Sequence, residues 1–359
     1  MKRATLPLWV DYGLAPLLTL AAALAASALA ILAVGENPWE AISTLARGAL
    51  GDTTGLGYTL YYATNFVFAG LAVALPFHGG SFNIGGEGQA YIGGLGAALV
   101  CLALPGASWA VVLPLAFLAA FGFGAGWAFV PAWLKATRDS HVVITTIMFN
   151  FIASALMGYL LVNVLIAPGQ SAPETVTFSE SAWLPQIAPL LAGLGIEMGP
   201  SPLNLAFPLA LLASVVVWLL LWRTRWGYEI RAAGLNESAA AYGGISLGGV
   251  TILSLCLGGG LAGLIAVNEV LGAQHRLLLG FSGGYGFAGI AVALMGRNHP
   301  LGICLAALLF GALYQGGTEL AFDMPAITRD IVVVIEGLVI LFCGALESLF
   351  RKRLEAVFA

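Results

Sequence analysis

The sequence predicts an all-α polytopic membrane protein of about ten transmembrane helices, with an internal repeat and broken helices near its centre. Three observations predict it. Of the 359 residues, 60% are hydrophobic and 9% charged, with a mean hydropathy of +0.94, whereas soluble chains carry about 25% charge. Apolar runs recur at lengths near the roughly 20 residues that a helix needs to cross the hydrocarbon core. Residues 287–294 (FAGIAVAL) also repeat 68–75 (FAGLAVAL), differing only at Ile290 and Leu71. Each copy runs into a polar, helix-breaking segment, PFHGGSFNIGGEGQ (76–89) in the first and MGRNHPLG (295–302) in the second. Interrupted spans at matching positions of two halves point to a pathway between the halves.

The expected spans are 14–34, 56–75, 89–104, 109–133, 142–166, 203–222, 246–268, 285–296, 301–318 and 331–349, forming a single transmembrane domain over 1–359. The third and eighth are short or glycine-broken. The 47 glycines suit close helix contact in lipid, where small residues let backbones approach. Lys2 and Arg3 precede an apolar stretch containing ASALA (26–30). That run of about 21 residues exceeds a usual signal-peptide core, so an uncleaved first helix is expected.

Charge sets the orientation. With Lys2 and Arg3 inside, alternating spans also place Lys135, Arg138, Arg223, Arg225, Arg231, Arg297, Arg351, Lys352 and Arg353 inside. Only Arg47, Arg276 and Arg329 of the 14 basic residues fall outside. This is the bias of the positive-inside rule, and it puts both termini in the cytoplasm. Acids such as Glu36, Glu40, Glu174 and Asp323 collect outside.

Two loops stand out. The external loop 167–204 holds six prolines, which forbid one continuous helix and leave room for a short amphipathic turn on the outer face. The inside segment 223–244 starts basic and then becomes helix-forming. Asn236 can cap a helix and Glu237 suits its first turn; Ala239, Ala240 and Ala241 continue it, and Gly243 and Gly244 end it. Such a segment is either an ordinary connection or a docking surface for another protein.

Cys101, Cys256, Cys304 and Cys343 sit in apolar runs without metal-ligand spacing and read as small buried hydrophobes. The histidines His78, His141, His275 and His299 are scattered, so no metal site is expected. The only lysines are Lys2, Lys135 and Lys352, so no phosphate-cradling loop ending in Gly-Lys-Ser/Thr exists. Composition and spacing give no sign of a catalytic set and no sign of nucleic-acid binding.

GYEIRAAGLNESAAAYGGI (227–245) resembles the ATPase-contacting loop of ABC importer permeases. FNIGGEGQ (82–89) and the block 271–313, including GFAGIAVALMGRNHPLG (286–302), resemble the ribose and nucleoside branch of the branched-chain-type permeases. They are most similar to nucleoside uptake permeases. The likeness runs from about residue 60 to 350, nearly the whole chain, and its specific motifs are FNIGGEGQ and GFAGIAVALMGRNHPLG. It departs at Ala288, where that subfamily leads one to expect an acid, which opens substrate selection to differ. The resemblance implies a permease subunit of an ATP-driven, binding-protein-dependent nucleoside importer in a bacterial inner (plasma) membrane. It implies no cofactor on this chain, with ATP and Mg held by a cytoplasmic ABC ATPase. It also implies a second permease subunit, this chain or a paralogue, and an external substrate-binding protein. A ribose-type sugar permease is the alternative substrate reading. A self-sufficient secondary transporter is a further alternative that the repeat supports equally, but it has no need of the cytoplasmic helix.

The candidate substrate pathway comprises Asn65, Phe82, Asn83, Glu87, Gln89, Asn150 and Asn268. Ionisable groups in spans are costly and usually face a pore or a partner. Glu87 has two open roles: it lines the pathway, or it sits in an inside loop and pairs with Arg297. Membrane asparagines also bond neighbouring helices. Arg231, Gly234, Asn236, Glu237, Ala240 and Gly243 are the ATPase-docking candidates, and Arg297, Asn298 and His299 form the second-repeat motif. Glu269, Gln274, His275 and Arg276 are expected near the outer end of the seventh span, either meeting the binding protein or solvated at headgroup level. Glu336 is expected to pair within the bundle.

Overall fold

The computed structural model describes residues 14–342 except 194, 196, 329, 336 and 340, together with residues 7 and 10. Lys2, Arg3, Arg329, Glu336, Cys343 and the basic residues 351–353 lie outside the described residues. The chain divides into two compact units, residues 1–59 with 311–359, and residues 60–310.

The first unit holds α1 (Ala15–Val34), α2 (Pro38–Leu50), the start of α3 (Thr53–His78) and the end of α13 (Pro300–Asp323). Helix α2 is not among the expected spans, because it is amphipathic rather than apolar. Its start is nevertheless readable: the Asn37 side chain accepts from the Trp39 N–H at 3.0 Å, Pro38 opens the first turn and Glu40 follows. It packs on α13 through small residues, Gly48 against the Glu319 stem and Gly316 against Leu45. Ile31, Ala41, Leu320, Ile327, Val332 and Ile335 form this unit's core. The last expected span is helical at the described positions 331–335, 337–339 and 341–342.

The second unit is built on α4 (Gly86–Ala103), α5 (Trp109–Arg138) and α11 (Leu247–Gly263). These meet backbone to backbone. A methyl added at Gly259 would lie 2.5 Å from the Ala128 Cβ, and one at Gly93, Gly124 or Gly263 would strike a neighbouring main chain. Small residues on all three helices make that approach possible. Helix α6 (Val142–Asn163) packs on α4, and α8 (Ala206–Arg223) follows the loop 167–204. Only 22% of the apolar window in α5 and 28% in α6 and α8 is buried, against 72% for the span 247–274. The exposed side chains include Leu118, Phe151, Ile152 and Leu212, as expected where lipid replaces water.

Among the described residues, seven helices are long and apolar enough to cross a membrane. Helix α4 and the 11-residue α12 (Tyr285–Met295) are not among them; they are the third and eighth spans that the sequence marks as broken. The seventh span outruns its expected end at 268, continuing through a π-helical turn, Val267–Gln274. No strand occurs among the described residues; two isolated bridges, Glu174 to Leu278 and Gln186 to Asn204, tie down the loop 167–204. That loop contains the short α7 (Ile187–Ala192), whose six residues are all apolar.

Candidate functional site

The first break follows α3. Pro76 in the last turn of α3 and Gly80 at φ 76° turn the chain, and α4 starts at Gly86. Asn83 and Gln89 join their amides reciprocally, at 2.9 and 3.1 Å, and Asn83 Oδ1 also accepts from the Gly85 N–H. Asn150 reaches across from α6, donating to the Ile84 carbonyl and accepting from the Gly88 N–H, both at 2.9 Å. Peptide groups released by the break thus find side-chain partners, a requirement wherever backbone leaves helical geometry in a membrane. Phe82 is half-buried, its ring edge-on to Phe77.

Glu87 serves a different helix from its own. Its Oε1 accepts from the Ser282 hydroxyl at 2.5 Å and the Gly284 N–H at 3.1 Å, and its Oε2 from the Gly286 N–H at 2.9 Å. The carboxylate therefore caps the N-terminus of α12, where free N–H groups and the helix dipole favour negative charge. The N-termini of the two broken elements meet there. Gly286 lies so close that a methyl would enter the Glu87 main chain. Pairing with Arg297 is not what is found, because Arg297 follows the opposite end of α12.

The two repeat copies pack on each other. A methyl on Gly289 of the second would lie 2.5 Å from the Ala69 Cβ of the first, and one on Gly70 would lie 3.0 Å from Val292. Their trailing segments also converge: His78 Nε2 hydrogen-bonds the Asn298 carbonyl at 2.9 Å, and Trp222 lies beside both His78 and His299. Arg297 and Asn298 turn the chain at φ 52° and 55°, and His299 Nδ1 accepts from the Leu301 N–H.

A second polar cluster joins α3, α8 and the π turn. The Asn65 amide donates to Glu269 Oε1 at 2.5 Å and accepts from Asn268 at 2.9 Å. Asn268 also donates to the Tyr61 carbonyl and accepts from Asn204. Gln274 donates to Glu269 Oε2 at 3.2 Å, and the phenols of Tyr61 and Tyr285 bond the same carboxylate. The expected position of Glu269 at a solvated outer end is therefore corrected: it is only 4% exposed. Its neighbours are held as well. Arg276 pairs with Glu174 at 2.9 Å, and His275 stacks on Trp183 at 4.1 Å. The π turn and the long external loop, which bonds residues 271–279 through Thr175, Phe178 and Leu184, supply the burial that a hydropathy profile does not register. Asn65 and Asn268 are legible in the sequence as membrane asparagines; Asn204 is not singled out there, and for Glu269 the signal against a terminal place is its position directly after Asn268.

At the end of this unit marked by His78, α9 (Arg225–Leu235) and α10 (Glu237–Tyr242) form a helical corner. Asn236 Oδ1 caps α10 through the Ala239 N–H at 2.9 Å, with Glu237 in the first turn, and Gly243 and Gly244 close it. Arg231 donates to the Leu221 carbonyl at 3.0 Å. Gly234 packs directly on the His78 carbonyl, tying the corner to the repeat motifs. Ala240 is buried, whereas Leu235 is 88% and Tyr242 98% exposed. Both helices line a groove of about 640 Å³.

Broken helices meeting at their N-termini and two face-to-face repeat copies are the architecture of a membrane transport subunit. The chain belongs to the family described as the permease component of branched-chain amino acid transport systems, matching it over residues 55–343. A glucose ABC transporter permease of Haloferax volcanii is 37% identical, over 99% of this chain and 93% of its own. A guanosine ABC transporter permease of Bacillus subtilis is 36% identical, over 92% and 93%. A nucleoside ABC transporter permease of Lactococcus lactis is 32% identical, over 92% and 90%. The chain is a multi-pass permease subunit of an ABC transporter, a system in which ATPase and substrate-binding partners complete the machine.

Proposed function

We propose that this permease imports nucleosides across a bacterial plasma membrane, with both termini and the α9–α10 corner in the cytoplasm. The observation that carries the ATP-driven reading is that corner: two capped helices around a groove, presenting Leu235 and Tyr242 almost fully exposed. A self-sufficient carrier has no use for such a surface, whereas an ABC ATPase needs a rigid apolar handle. Glu237, Ala240 and Gly243 shape it, and Arg231 and Gly234 anchor it to the unit behind. A second permease subunit, a copy of this chain or a paralogue, completes the pathway, and a substrate-binding protein docks on the opposite face. Asn65, Phe82, Asn83, Glu87, Gln89, Asn150 and Asn268 line or brace the route that opens between the repeat copies.

The nucleoside assignment rests on the guanosine and nucleoside permeases among the relatives. A simple sugar is the second reading, favoured by the glucose permease at 37% identity and by Ala288. Uptake into proteoliposomes holding the permease, its ATPase and its binding protein separates them, with labelled guanosine, ribose and glucose compared. ATP-dependent guanosine uptake that excess ribose and glucose do not compete is the expected result. Sugar uptake alone moves the substrate to the second reading, and equal uptake without ATP removes the importer.

A further inference from the structure

Glu269 has no part in capping a break or in docking, yet it is one of the most enclosed carboxylates in the described chain. It is 4% exposed, and Asn65 and Asn268 beside it are fully buried. Its hydrogen-bond partners are all neutral: the amides of Asn65 and Gln274 and the phenols of Tyr61 and Tyr285. An ionisable group inside a membrane bundle without a counter-charge is expensive and marks a functional site by default. Beside it the Gln274 Oε1 is buried with no hydrogen-bond partner, a second acceptor in need of a donor. Both acceptors sit on one π turn, a helical irregularity that recurs at functional sites. Tyr285, which bonds Glu269, is the first residue of α12, the helix whose start Glu87 caps. The cluster therefore lies where the π turn, α3 and the second broken helix meet.

These features specify a ligand. Two adjacent acceptors call for a molecule with two adjacent donors and no charge of its own. The rings of Tyr61 and Tyr285 add flat apolar faces whose polar tips already point at the carboxylate. A furanose or pyranose ring with neighbouring hydroxyl groups meets that description, and this chemistry is common to nucleosides and simple sugars. Hydroxyl bonds to a carboxylate are among the stronger hydrogen bonds, and a site built to receive them rejects analogues lacking them.

We propose, resting on the import reading above, that Glu269 and Gln274 form the acceptor pair that receives the vicinal hydroxyls of a sugar-ring substrate in transit, with Tyr61 and Tyr285 beside its faces. In this structure the cluster is closed by Asn65. Substrate displaces that amide and the two phenols from the carboxylate, so the site opens without leaving a bare charge.

The test is discrimination, which a merely structural role does not alter. Uptake of guanosine against 2′,3′-dideoxyguanosine, and of glucose against 2,3-dideoxyglucose, is measured in the complete proteoliposome system. The same binding protein serves wild type, Glu269→Gln and Gln274→Met, and binding-protein-stimulated ATP hydrolysis monitors assembly. Wild type is expected to prefer the hydroxylated member of the pair it carries by about tenfold, equivalent to ~1.4 kcal/mol. Glu269→Gln should bring that preference close to unity with stimulated hydrolysis retained, and Gln274→Met should narrow it less. A Glu269→Gln protein that slows transport but keeps the wild-type preference overturns the proposal. If that variant fails to assemble, an unchanged preference in Gln274→Met overturns it and a narrowed one supports it. A wild type that carries neither ring defeats the import reading itself, and this inference with it.

Discussion

Replacing Glu87 separates two roles that the sequence leaves open. In the structure its carboxylate accepts from the Ser282 hydroxyl and the Gly284 and Gly286 N–H groups. Glu87→Ala would leave two backbone donors and a hydroxyl unpartnered at a buried helix start. Each orphaned group costs about 1–3 kcal/mol, and losing the anion at the helix N-terminus costs a further ~0.3–1 kcal/mol. These terms sum to about 3–10 kcal/mol, and non-additivity favours the lower half, about 3–6 kcal/mol. Glu87→Gln keeps an acceptor for one side but turns an NH₂ towards an N–H donor, so about half that loss is expected. Ser282→Ala removes one partner and should cost about 1–3 kcal/mol. The assay is retention of monodisperse protein after heating in detergent, run with ATP-driven uptake. The expected order of stability is wild type, Ser282→Ala, Glu87→Gln, Glu87→Ala. Equal thermal stability of Glu87→Ala and wild type, with uptake abolished, would refute the capping argument and return the carboxylate to the open pathway.

Two further predictions concern the ends of the second unit. Tyr242→Glu places a charge at the 98% exposed tip of α10; membrane insertion and yield should match wild type while ATP-dependent uptake is lost, and unimpaired uptake counts against the docking surface. At the other end, burial pushes the His275 pKa below its ordinary 6.5, so the folded protein favours the neutral ring stacked on Trp183. The associated stability is present above pH ~6.5 and is lost as pH falls beneath it, because the unfolded chain then binds a proton that the folded ring resists. Proteolytic cleavage of the loop 167–204 should accelerate on acidification through that window, and His275→Gln should remove the acceleration; identical acid sensitivity in the variant rejects the assignment.

What the sequence made legible is what local rules govern. Asn236, Glu237, Gly243 and Gly244 follow cap chemistry that any short helix obeys, and the structure puts them at the ends of α10. Glycines around residue 85 and the RNHP segment marked the two breaks, and both are breaks. The repeat foretold that its copies would come together, although not that Gly70 and Gly289 would sit in the contact. Three features stayed hidden, each because its cause is not local. Helix α2 fails a hydropathy reading, being apolar on one face only, and its cap at Asn37 was the signal to weigh. The π turn costs nothing that composition records. Glu269 reads as terminal because its burial involves the loop 167–204, which lies 65–102 residues earlier in the chain and folds back onto the segment after it.

The chemistry chosen for the interior also bears on movement. Among the described residues, the ion pairs of Lys135 with Asp139, Arg225 with Glu229 and Arg276 with Glu174 each have at least one substantially exposed partner. Inside, Glu87 and Glu269 are held by hydroxyls, amides and main-chain N–H groups. A buried ion pair pulled apart strands two charges in a low dielectric, a cost of several kcal/mol for each ion. A carboxylate that exchanges one neutral donor for another never stands bare, so its bonds are re-formed rather than broken. For helices that must part and rejoin on every transport cycle, that difference sets the barrier. Amides and glycines at the breaks therefore suit a pathway that opens, where arginine–glutamate clamps would suit one that stays shut.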